Sequence, residues 1–206
     1  MELKTLNYLR IVVPGSIIVI YAVILGAITK LFKLPVPDVD ALLKGVFVLV
    51  IGAIYRFTPL RSWINRGHFE RVNENIRSRM VSMSALVDDK EKYTWNKIRK
   101  IFYDVIDNDE SLKIKGQRVM FNGLIWTSAA DVTSIGIFFL GYSLILIASD
   151  VPNAAYAAIA FFIISLLGFV GSVKTTEKQI GLGNEQLDLM DEKYAPIIRA
   201  RIMSIA

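Results

Sequence analysis

The sequence predicts an all-α, polytopic membrane protein: four transmembrane helices arranged as two hairpins, with a small cytoplasmic helical segment between them. Three observations predict it. The 206 residues are 53% hydrophobic, and the apolar residues come in long runs instead of being scattered. Three of those runs carry no charge over a spanning length. Arginines gather directly after a fourth, shorter run.

The uncharged runs are Ile11–Thr29, Val132–Ser149 and Val151–Val173. Eighteen or more such residues match the thickness of the hydrocarbon layer. The fourth run, Gly45–Tyr55, lies between Lys44 and Arg56 and is too short alone. With Val39–Leu43 and Phe57 it reaches a spanning length, and Lys44 snorkels to the headgroups. The first run does not read as a cleaved signal peptide. It lacks a small-residue cleavage pattern, and Lys30, Leu31 and Phe32 follow it directly. There is no cysteine, which excludes disulfides and thiolate chemistry.

Orientation follows from basic residues, which favour the cytoplasmic side. Arg56, Arg61, Arg66, Arg71, Arg77 and Arg79 follow the second hydrophobic run, opposed only by Glu70 and Glu74. The expected location is therefore a plasma membrane, on the bacterial inner-membrane pattern, with both termini cytoplasmic. The Lys30–Lys44 and Ser149–Asn153 loops fall outside, although three lysines in the first of these count against that assignment. The domain boundaries are 1–57 for the first hairpin, 58–126 for the cytoplasmic segment, 127–173 for the second hairpin and 174–206 for a cytoplasmic helical tail.

Within the cytoplasmic segment, Thr58-Pro59 reads as a helix start. Phe69, Val72, Ile76, Met80 and Met83 recur at steps of three and four, one apolar stripe on a helix. Asp88-Asp89 and Asn108-Asp109 read as turns. Ile98, Ile101, Phe102, Val105 and Ile106 form a second stripe. A stretch from Leu112 to Trp126 runs toward the third spanning helix. The tail repeats the pattern through Leu187, Met190, Tyr194, Ile197 and Ile198, with Pro196 interrupting it and Gly181 and Gly183 loosening its start. One chain offers a thin core for these helices, so the Phe69–Met83 stripe is expected to mediate assembly with other copies.

Small residues suggest close helix contacts in the membrane: Gly45 with Gly52, Ala154 with Ala158, and Gly168 with Ser172. Arg56, Arg61, Arg66 and Arg71 are expected to meet anionic lipid headgroups or an acidic partner. Steps of five residues turn about 140° on a helix, so they form no single basic stripe, and nucleic acid is disfavoured as a partner. Asp131 marks the inner end of the third span, and no charge lies at mid-membrane, which argues against ion-coupled transport.

No catalytic set converges. One histidine without cysteine is a poor supply of metal ligands, and no phosphate loop, dinucleotide fingerprint or nucleophile elbow is present. Neither cofactor nor metal is expected. Arg61 and His68 have the loose spacing of the basic-plus-histidine pair of HEPN-type RNA-cleaving domains. No other feature of that family is present, and no resemblance is drawn. The expectation is a non-enzymatic, homo-oligomeric, channel-like subunit gated through its cytoplasmic helices. The alternative is a sensor or anchor that recruits a soluble cytoplasmic protein, a type of membrane protein also found in bacterial phage defence. A membrane-bound HEPN-like nuclease ranks last.

Overall fold

The computed structural model describes residues 3–31 and 45–205. They form six helices: α1 (Leu3–Thr29), α2 (Val46–Arg56), α3 (Leu60–Met83), α4 (Trp95–Asp107), α5 (Glu110–Ala148) and α6 (Ala154–Ser204). No strand occurs among the described residues. The chain divides into two compact units, Met1–Asn65 with Leu124–Lys174, and Arg66–Gly123 with Thr175–Ala206.

Three helices, α1, α5 and α6, are long and apolar enough to cross a membrane. α2 has 11 residues, about 16 Å, half the hydrocarbon thickness. It passes the same test only together with α3, from which it is bent by 59°. The Val39–Lys44 extension of that run lies outside the described residues. Thr58 does not cap α3 as its sequence context suggests. Its hydroxyl donates back to the Tyr55 carbonyl at 2.7 Å, closing the end of α2. The Pro59 carbonyl accepts the Trp63 N–H at 2.9 Å and starts the next helix.

In the first unit, α1 and α2 cross backbone to backbone. A Cβ on Gly15 would strike the Val48 carbonyl, and one on Gly52 would strike the Ile11 carbonyl. Gly45, the residue expected to share a face with Gly52, stands outside the helix as the α2 N-cap, in extended conformation (φ −82°, ψ 152°). Two residues seven apart share a face only if both are helical. Gly15, which the sequence reading passed over, is the true counterpart. Neither carbonyl can retreat, because each belongs to a helix. Gly52→Ala is therefore expected to cost about 3 kcal/mol, the top of the usual overpacking range. Thermal melting in detergent checks this, with Gly67→Ala as control. Gly67 has open space around its Cα, so that change should be neutral or slightly stabilising. Equal melting points for the two variants would refute the close crossing.

α5 and α6 pack antiparallel through the Ser149–Asn153 turn. Asp150 and Asn153 take left-handed backbone there, φ 52° and 62°, which short polar side chains tolerate best. Gly136 abuts Ser165, and Gly168 abuts Val132 and Thr133. Ala154, Ala158 and Ser172 are buried. The core joins Tyr21 and Leu25 of α1 and Tyr55 of α2 to Ile135, Phe139, Ala157 and Phe161. Tyr21, Phe139 and Phe161 form a three-ring cluster with centroids 5.2–5.7 Å apart. The outer faces of α5 and α6 are apolar, with Phe138, Ile145, Ile159, Phe162 and Leu167 exposed. Water does not favour such a surface; hydrocarbon does.

The second unit is a helical bundle. Val72, Ile76 and Met80 of α3, Ile98, Ile101, Phe102 and Val105 of α4, Leu112 of α5 and Leu187, Met190, Ile198 and Ile202 of α6 are all buried. The stripe expected to bind other copies is thus covered by the chain itself. Phe69 stays exposed and Met83 partly so. The reason is that α6 runs 51 residues, roughly 76 Å, without a break. Pro196 does not interrupt it. Proline frees one carbonyl, four residues back, and here that residue is Glu192, at an exposed position where the helix faces solvent.

Candidate functional site

The candidate site is a buried ion pair in the first unit. Asp131 lies in α5 with its side chain 1% exposed, and Arg61, in the first turn of α3, is 20% exposed. The guanidinium meets the carboxylate with two parallel bonds, Nε to Oδ1 at 2.7 Å and Nη2 to Oδ2 at 2.6 Å. This fork-on-fork geometry is the strong form of the pair. Tyr55, at the end of α2, donates its hydroxyl to Asp131 Oδ1 at 3.0 Å and shares a 2.6 Å hydrogen bond with Ser134. The Arg61 guanidinium also lies 5.8 Å from the Tyr55 ring centroid.

Local sequence explains how these groups meet. The bend between α2 and α3 turns Arg61 back toward α5. Pro14 in α1 lacks an N–H, so the Arg10 carbonyl, four residues earlier, loses its helical donor. Arg61 Nη2 supplies a replacement at 3.4 Å. In a water-poor setting such a carbonyl needs a partner. Four elements, α1, α2, α3 and α5, therefore converge on one polar cluster.

An apolar groove of about 460 Å³ lies in the same unit, lined by Trp63 and Ile64 of α3, Thr133, Ile137 and Leu140 of α5, and Phe162, Ser165, Leu166 and Phe169 of α6. Its few polar groups suit a hydrocarbon-facing surface.

The second unit has its own polar centre. Arg77 is 3% exposed and forks to both Glu74 and Asp88, with a further bond to the Tyr93 carbonyl at 3.3 Å. Lys90 adds a bond to Glu74. The Arg77 hydrogen bonds hold the Glu74 carboxyl down at about 2 and Asp88 below its ordinary value. Asp109 caps α5 by accepting the Leu112 N–H, and it also takes Tyr194 and Lys193. The Leu112 bond leads in holding Asp109 at about 2. Depressed carboxylates contribute stability that is complete above their unfolded values near 4. That stability is lost as pH falls toward 2.

Of the arginines expected to meet lipid or a partner, Arg56, Arg66 and Arg71 are exposed. Arg66 pairs with Glu70 across one exposed helical turn, a weak contact. Arg61 is instead taken inward by Asp131, because a lone carboxylate in an apolar helix requires a cation. The signal was present in the sequence. Asp131 is the only charge between Leu124 and Ser149. His68 bonds to Thr176 at 3.1 Å. Among the described residues no three His, Cys, Asp or Glu side chains gather to hold a metal ion.

Three helices long and apolar enough to cross a membrane give this helical chain the composition expected of a membrane protein. Comparison with protein-family models, characterised proteins and solved structures finds no match to this chain, so its function is argued from its own residues.

Proposed function

We propose that the chain is a non-enzymatic integral membrane transducer, in which a cytoplasmic helical bundle answers to a soluble partner and the spanning helices carry the response. One observation carries this reading. α5 and α6 are each a single helix with residues in both units. A change in the bundle can then reach the spanning segments along two continuous helical backbones. The Arg61–Asp131 pair is the natural brake on such a shift, since it fastens α3 to α5. The arrangement proposed with it has four spans in two hairpins. Both termini lie on the cytoplasmic side of a bacterial inner membrane. The convergence of Arg10 and Arg61 with Asp131 supports placing those three ends together.

A second reading, the homo-oligomeric channel-like subunit gated through the same helices, is favoured by a different face. Ile114, Arg118, Phe121 and Ile125 lie within about 60° on α5 by helical spacing, and all four are exposed. A matching face on a neighbour would cover them.

Spin labels test the first reading on this cysteine-free chain. Nitroxides at Phe138→Cys and Ile159→Cys, on exposed faces of α5 and α6, report the spanning pair. Loosening the bundle by Met80→Ala should shift or broaden their distance distribution. Identical distributions would overturn the transducer reading. Native mass spectrometry of the unmodified protein decides the second. A multimer that Phe121→Asp dissolves supports the channel, and a monomer in both mild detergent and nanodiscs removes it.

A further inference from the structure

We propose that Arg10, Arg56 and Arg61 form a binding site for one phosphate group at the end of the first unit. The charge balance points there. Among the described residues of this unit the carboxylates are Asp131 and Asp150. Asp150 stands in the α5–α6 turn, 19 residues beyond Asp131 and thus about 28 Å along the helix. Among the described residues Asp131 alone faces the arginines, and Arg61 occupies both its oxygens.

Arg10 sits beside Arg61, whose guanidinium reaches the Arg10 backbone. Arg56 and Arg61 are the charges that bear on Arg10. The Arg10 Nε is buried and has no hydrogen-bond partner. Arg56 is exposed at the C-terminal end of α2. Among the described residues, three guanidinium groups and one carboxylate leave two positive charges uncompensated in a region bordered by apolar helices. Like charges repel more strongly there than in water. An anion placed between Arg10 and Arg56 removes that repulsion. Phosphate fits best, because its oxygens accept the planar arginine fork in pairs. At the end of a membrane-embedded unit the phosphates of lipid headgroups are the most abundant source. Free inorganic phosphate offers the same chemistry.

This inference rests on the membrane reading alone. Its failure would leave the transducer untouched, which the spin-label distances test separately. The full chain in neutral detergent is titrated with phosphatidylglycerol or phosphatidylcholine and read by native mass spectrometry. Phosphatidylglycerol should be retained preferentially, since the choline cation adds to the positive excess. Arg10→Gln and Arg56→Gln should each lower its retention about five-fold, the weight of one basic residue at an anionic surface. Arg66→Gln, already paired with Glu70, should not. Melting curves identify any variant that has failed to fold, and Arg56→Gln, at an exposed position, keeps the test open if Arg10→Gln does. Equal retention of the two lipids, or retention indifferent to both substitutions, would overturn the site. Displacement of phosphatidylglycerol by millimolar inorganic phosphate would keep the phosphate site and reject the lipid as its ligand.

Discussion

Asp131→Asn is expected to destabilise the spanning unit by about 3 kcal/mol. Removing one partner of a buried ion pair strands the other charge, at about 3–5 kcal/mol. The lower end applies because Arg61 keeps a fifth of its side chain exposed. Arg61→Met should cost a similar amount, since it leaves the carboxylate with only the Tyr55 hydroxyl. The double variant Arg61→Met with Asp131→Leu should recover most of the loss, as apolar pairs of similar volume often replace buried ion pairs at little cost. A thermal double-mutant cycle in detergent measures the coupling. Additive losses would mean that the two groups do not act as a pair. Tyr55→Phe removes one hydrogen bond to the same carboxylate and should cost about 1–2 kcal/mol. In the proposed transducer the same substitutions release α3 from α5. They should therefore change the nitroxide distances as well as the melting point.

Met80→Asp is expected to unfold the second unit outright. Met80 is fully buried, with Ile76 one turn before it. Ile76 packs near Gly183 of α6. Truncation to alanine alone costs about 2–5 kcal/mol at such a site. A carboxylate there adds a desolvation penalty with no cation to meet it. Had the stripe served assembly between copies, as its periodicity suggests, acidic substitution of Ile76 and Met80 would instead break an oligomer and leave the monomer inserted. The structure moves the damage inside one chain. Limited proteolysis reads the difference. New cleavage between residues 66 and 123, with the spanning fragments still protected, is the expected pattern. Unchanged protease resistance with loss of a multimer would restore the assembly role of the stripe.

Burial in this bundle was hard to foresee because the partners are distant in sequence. Val72 to Met80 are covered by an α6 segment more than 100 residues later, and Asn75 bonds Asn184 at 2.8 Å. A periodic stripe states that a face needs cover. It does not state which segment supplies it, and a neighbouring copy satisfies the pattern equally well. The same limit applied to Arg77, whose neighbours Glu74 and Asp88 are close in sequence. Arginine at a solvated turn and arginine at a buried hub read alike until the fold excludes water.

What the sequence determined by itself was the helical class, the uncharged spans, the tight Ser149–Asn153 turn and the arginine-rich stretch after α2. These follow from composition and period, which act locally. It also held Asp131 in view as the lone charge of its run. Tertiary structure alone decided that Arg61 turns inward to meet Asp131, that Gly15 and not Gly45 faces Gly52, and that α6 passes through Pro196 unbroken. Each outcome depends on where a second backbone comes to rest. The freed Arg10 carbonyl behind Pro14 shows the reason plainly: its need for a donor is written in α1, but the donor that meets it lies 51 residues away on α3.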